Sequence, residues 1–316
     1  MEPWLVVLSF TAIAVMRVAQ KVCSKKVSNE VKGKTFFHYG GYYQLLSALF
    51  SLITLCIVGF HGFDVLTVLC ALGTAVFMAI ELFAGIEALK GCSLIVSQMF
   101  SVGALFIPCL LGIFMFDEPM SVWQWVGLLI FMVAMYFLVA PSKSKQEHMQ
   151  NRKMSLKTIC MLVLGLIAGG MTMVVQKMFG IYVPDGNTAM YSFLMFALNA
   201  LMLYICYTAI VLFQKNKPTD EQTAAESKPE RAKWEPLSKV LLICGAFLAL
   251  AVFVINMLVT ELGKTVESAI LFSVSYAISI IITILVGALY YKEKITWKNI
   301  IGIVLCVIAL AIINFL

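Results

Sequence analysis

The chain reads as an all-α integral membrane protein, with ten transmembrane helices arranged as two inverted five-helix repeats. Three observations predict this. Of 316 residues, 61% are hydrophobic and only 13% charged, and the mean hydropathy is +0.95. The apolar residues gather into ten runs, each near the ~20 residues that a membrane crossing needs. Of the 23 Lys and Arg residues, 20 fall on one membrane side when those runs are threaded through a bilayer. A soluble domain is ~45–50% apolar and ~25% charged, and a fold of this length could not hide so much apolar surface from water.

The runs span roughly 3–23, 37–60, 65–89, 94–116 and 122–140, then 156–180, 188–213, 237–260, 266–290 and 297–316. The first follows Met1-Glu2-Pro3-Trp4, which has no basic stretch and no A-x-A site beyond it, so it reads as a membrane helix and not as a cleaved signal. Lys25, Lys26, Lys32 and Lys34 follow that helix, and Lys90 closes the third. The fifth gives way to the linker 141–155 (PSKSKQEHMQNRKMS), which divides the chain into a first repeat, 1–140, and a second, 156–316. Within the second lies a polar loop, 214–236, rich in Pro, Lys, Glu and Ala. Lys292, Lys294 and Lys298 follow the ninth run. In lipid every backbone group must bond internally, so runs of this length are helices and not barrel strands. Basic loops stay in the cytoplasm, which predicts a cell-membrane protein with both termini on the non-cytoplasmic side and 141–155 inside.

The same composition excludes several functions. A net charge of +6 reflects these loops and not a nucleic-acid partner. Nine cysteines form no C-x-x-C pair and read as free thiols within apolar runs. His38, His61 and His148 make no metal-ligand cluster, and neither a P-loop nor a G-x-S-x-G is present. Neither polar segment could house a catalytic domain. The chain is therefore expected to be no enzyme and to need no metal or cofactor; its expected partners are the bilayer and a small-molecule substrate.

The two halves resemble each other at specific residues. Glu118 precedes Gly127 by nine residues, as Glu293 precedes Gly302, both at an offset of 175. Ser93 and Ile95 match Ser268 and Ile270 at that offset, while Val18, Gln20 and Lys21 match Val174, Gln176 and Lys177 at 156. Five helices per copy is an odd number, so the second copy enters the membrane upside down. Loop charges agree: four lysines follow the first helix, whereas the equivalent loop 181–187 (IYVPDGN) has none. Inverted repeats are a common build of secondary transporters. With these motifs the chain resembles the drug/metabolite transporter superfamily, and within it the EamA-like ten-helix exporters. The resemblance implies a basket of two bundles whose central cavity is lined by the first, third, fourth, sixth, eighth and ninth helices. The polar loop 214–236, Arg17 and Glu81 depart from a typical member.

Polar side chains inside a bilayer are expensive and mark function. Those expected at the substrate are Arg17 and Gln20 on the first helix, Glu81 on the third, Gln98 on the fourth, Gln176 on the sixth, Asn256 on the eighth and Tyr276 on the ninth. Glu81 and Asn256 are repeat equivalents. Arg17 and Glu81 are expected to pair at the cavity edge, while Lys21, Glu87 and Lys177 lie near helix ends and can snorkel. Glu118 and Glu293 read as helix-end fixtures, and Gly127 and Gly302 as sites of close helix packing. The expected function is a permease moving small organic metabolites, such as amino acids or related compounds, by alternating access. Two alternatives stand: a non-transporting regulatory or scaffold protein on the same fold, and a nucleotide-sugar-type antiporter.

Overall fold

A computed structural model describes residues 3–31, 33–60, 62, 64–115, 121–139, 155–215, 236–266, 268–290 and 297–315. Among them the regular structure is entirely helical. In order the helices are α1 (Pro3–Val27), α2 (Lys34–Val58), α3 (Val65–Gly91), α4 (Leu94–Gly103), α5 (Phe106–Met115) and α6 (Val122–Val139), followed by α7 (Leu156–Tyr182), α8 (Thr188–Lys215), α9 (Lys239–Gly263), α10 (Ser268–Leu289) and α11 (Trp297–Phe315). By length and composition seven segments can cross a membrane: Val6–Val27, Lys34–Val58, Val65–Gly91, Leu94–Met115, Leu156–Tyr182, Thr188–Leu212 and Lys239–Gly263. Val122–Ala134, Ile278–Leu289 and Ile300–Ala309 are shorter apolar stretches. Val7, Ile57, Val65, Leu129 and Phe247 are among the large apolar side chains left exposed. Such surface suits a bilayer and not water.

The fourth apolar run is not one continuous helix, which corrects the reading of 94–116. Pro108 has no N–H to give the carbonyl of Ala104, and its ring crowds that carbonyl. The ladder slips there to tighter turns, with Ala104 N–H on Ser101 O, Leu105 N–H on Val102 O and Ile107 N–H on Ala104 O at 3.0–3.3 Å. α4 ends and α5 begins at that slip. The gap admits α7: a Cβ built on Gly170 would lie 2.6 Å from Ile107 and 2.8 Å from the Ala104 carbonyl oxygen. Only glycine allows this approach.

Helix starts are capped by residues the sequence supplies. Ser93 Oγ accepts Val96 N–H at α4, and Ser238 Oγ accepts Leu241 N–H at α9. Ser121 and Gln124 form a reciprocal capping box at α6, Ser121 N–H donating to Gln124 Oε1 (2.8 Å) and Gln124 N–H to Ser121 Oγ (3.2 Å). Packing is interlocked. α1 lies mainly against α9 and α3 against α7, while α2 packs on α8 and α6 on α11. One core gathers Ile13, Met99, Phe131, Leu271 and Cys306; another gathers Tyr39, Tyr191, Phe196 and Ala249.

Candidate functional site

On α1, Arg17, Gln20, Lys21 and Ser24 are spaced three and four residues apart, so they share one helix face. That face lines a central cavity with about 120 Å³ of room for the centres of water molecules. Glu81 faces it from α3 and Gln98 from α4, on the first turns before the slip. Gln176 enters from α7, Asn256 from α9 and Tyr276 from α10. All seven residues expected at the substrate thus line a single cavity, and they come from six helices. The lining occupies the later halves of α1 and α3 and runs along α7 from Met161. The early half of α1, with Phe10 and Ile13, packs instead into apolar core beside Leu262 and Leu271.

The polar contacts are specific. The Arg17 guanidinium lies over the Tyr276 ring, with its carbon 3.7 Å from the ring centroid. Arg17 is only 8% exposed, and its buried Nε has no hydrogen-bond partner. Gln98 Nε2 donates to Ser279 Oγ at 3.0 Å, while Gln98 Oε1 accepts nothing. Lys21 Nζ reaches Ser97 Oγ at 3.4 Å. Gln176 Nε2 donates to Asn256 Oδ1, and Asn256 Nδ2 donates to the Val252 carbonyl at 2.8 Å. Small residues on α7 make room for the acid: a Cβ on Gly169 would stand 3.2 Å from the Glu81 carboxyl carbon.

Some expectations need correction. Arg17 and Glu81 border the cavity together, but no ion pair joins them; the ion pairs among the described residues are Lys90–Glu87, Lys157–Glu87 and Lys264–Glu261. The Tyr276 ring holds the guanidinium, so the cation is oriented without being neutralised. Glu87 is tied to Lys90 and Lys157 where α3 meets α7, outside the cavity lining. Lys177 is buried and donates to the Val266 carbonyl at 2.9 Å, also away from the lining. Gly127 and Gly302 are buried on α6 and α11, which pack together. Glu118 and Glu293 lie outside the described residues. Ser97 and Tyr43 line the cavity without having been assigned to it from the sequence, and Lys21, which shares Arg17's helix face and was read as able to snorkel, lines it too. Nothing in the local pattern around Tyr43, on α2, points inward.

The family model of the EamA-like transporter family matches residues 156–315, just over half of the chain. No curated protein matches it. A solved structure, described only as the crystal structure of a protein, is similar with a TM-score of 0.64 at 14% identity, covering 97% of this chain and 94% of that one. At such identity the likeness speaks for the fold alone. The family match and the many apolar helices make this a multi-pass membrane protein, and the chain belongs to the EamA-like transporter family of the drug/metabolite transporter superfamily.

Proposed function

We propose that this protein is a secondary transporter that moves small organic metabolites, such as amino acids or related compounds, across the cell membrane by alternating access. The observation that carries the reading is the convergence of Arg17, Gln20, Glu81, Gln98, Gln176, Asn256 and Tyr276 on one cavity. Small-molecule sites are concave and largely apolar with a few polar fixers.

In this reading the architecture is two inverted five-helix repeats, 1–140 and 156–316, with α4 and α5 sharing one crossing. Its support is reciprocal packing: α1 meets α9 as its counterpart α7 meets α3, and the counterparts α2 and α8, like α6 and α11, meet each other. Such self-complementary contacts are what a two-fold relation produces. The family model's limits, 156–315, fall on the second repeat. With both termini outside, the cavity opens toward the cytoplasmic ends of α1 and α3. The opposite end is closed by Lys177 on Val266 O, Lys264 on Gly186 O (3.0 Å) and Thr188 on Glu261 (2.7 Å). Transport then requires these closures to open while equivalent ones form inside.

A scaffold would have no use for Arg17 and Glu81 within the membrane. The test is uptake of a labelled metabolite mixture by proteoliposomes containing the purified protein. Uptake is expected, and Asn256→Leu, which strips Gln176 of its partner and puts an apolar side chain in the cavity, should abolish it at some cost in folded yield. Full uptake by that variant, or none by well-folded parent protein, rejects the reading.

A further inference from the structure

The charges in the cavity narrow what can occupy it. Three charged residues line it, Arg17, Lys21 and Glu81, leaving one excess positive charge. Arg17 forms no ion pair with Glu81, and its buried Nε has no hydrogen-bond partner. A buried charge without a counter-charge is costly, and the Tyr276 ring beneath the guanidinium does not neutralise it. The ring does cover one face, which leaves the planar N–H edge as the side on which an anion can dock; such an edge matches a carboxylate. The second unmet group is neutral. Gln98 is 1% exposed, its Nε2 is committed to Ser279, and its Oε1 waits for a donor. Gln176 Nε2 and Asn256 Oδ1 by contrast already hydrogen bond to each other.

We infer that the cavity selects a small organic acid of net negative charge that also carries an N–H or O–H donor, its acid group on Arg17 and its donor on Gln98 Oε1. This rests on the cavity being the substrate site. A zwitterion adds no net charge and leaves the excess in place, and a cation worsens it. The inference thus separates acylated or hydroxylated acids from free amino acids of the same size.

The test uses the purified full-length protein and four compounds of nearly equal size: N-acetylglycinate (anion with a donor), N-acetylglycinamide (neutral), glycylglycine (zwitterion) and glycylglycinamide (cation). Thermal melting is followed at constant ionic strength, with chloride as the control anion. N-acetylglycinate is expected to raise the melting temperature in a saturable way, and the other three to have little effect. Arg17→Gln should weaken the acid about tenfold or more, the worth of a hydrogen bond to a charged group. Arg17→Lys, which keeps the charge, should weaken it less and guards against a misfolded glutamine variant. If the zwitterion or the cation binds best, and Asn256→Leu removes that binding, the inference falls while the transporter reading stands. An effect of the acid that neither Arg17→Gln nor Asn256→Leu changes places the ligand elsewhere and removes both. No shift with any of the four compounds also overturns the inference.

Discussion

Arg17 and Tyr276 come from the first and tenth helices and meet with 3.7 Å between guanidinium carbon and ring centroid. In a desolvated site such a stack is worth about 2 kcal/mol. Tyr276→Leu should therefore lower the melting temperature, whereas Tyr276→Phe, which keeps the ring, should stay close to the parent; equal losses in both variants would mean that the hydroxyl and not the ring matters. Sequence reading found Arg17 because charge is rare within apolar runs, and Tyr276 as a side chain with a polar tip inside one. It assigned Arg17 the wrong neighbour because opposite charge is the simplest reason to expect contact. Which side chain covers a cation depends on helix rotation, and a sequence of all-round apolar helices carries little record of rotation. For the same reason Tyr43 escaped notice: aromatic residues are as common in core packing as in cavities.

At the scale of elements, seven crossings were legible because length and hydropathy fix where a chain can cross, and the runs at 122–140, 266–290 and 297–316 return as shorter apolar stretches among the described residues. The slip between α4 and α5 was not drawn from them, although Pro108 stands in the sequence and supplies its cause. Gly170 shows the packing consequence. Gly170→Ala would put a methyl group within 2.8 Å of the Ala104 carbonyl and 2.6 Å of Ile107. Overpacking of this kind costs ~1–3 kcal/mol. Gly85→Ala is the contrasting case, because nothing lies within 4 Å of the added carbon. An Ala there should stabilise α3 by ~0.5–1 kcal/mol. Melting of the two variants side by side should move in opposite directions; a shift of the same sign would contradict this packing.

For the whole molecule, orientation rests on the basic residues. Ser227 belongs to the Lys-rich loop and Glu2 to the amino terminus. In a cysteine-free background, Glu2→Cys should react with an impermeant maleimide on intact cells, and Ser227→Cys should react only after permeabilisation. The reverse pattern inverts the topology. The proposed symmetry between the halves rests in the sequence on paired motifs such as Gln20 with Gln176. The way the halves embrace was not legible there, since paired motifs do not say which helices touch.

That embrace has a consequence for how the protein is made. A ribosome delivers helices in order, yet α1 finds its main neighbour in α9 and α3 finds its own in α7. Contacts so distant along the chain form late and leave earlier parts waiting unpacked. A nascent chain released after α8 would hold α1 in the bilayer with its polar face, Arg17, Gln20 and Lys21, uncovered. Chains truncated at residue 215 should therefore remain sensitive to proteases and to membrane quality control, and chains reaching residue 263 should become resistant. Maturation would then be timed by the arrival of α9, so a lesion in the last third of the gene would destroy the first third of the protein.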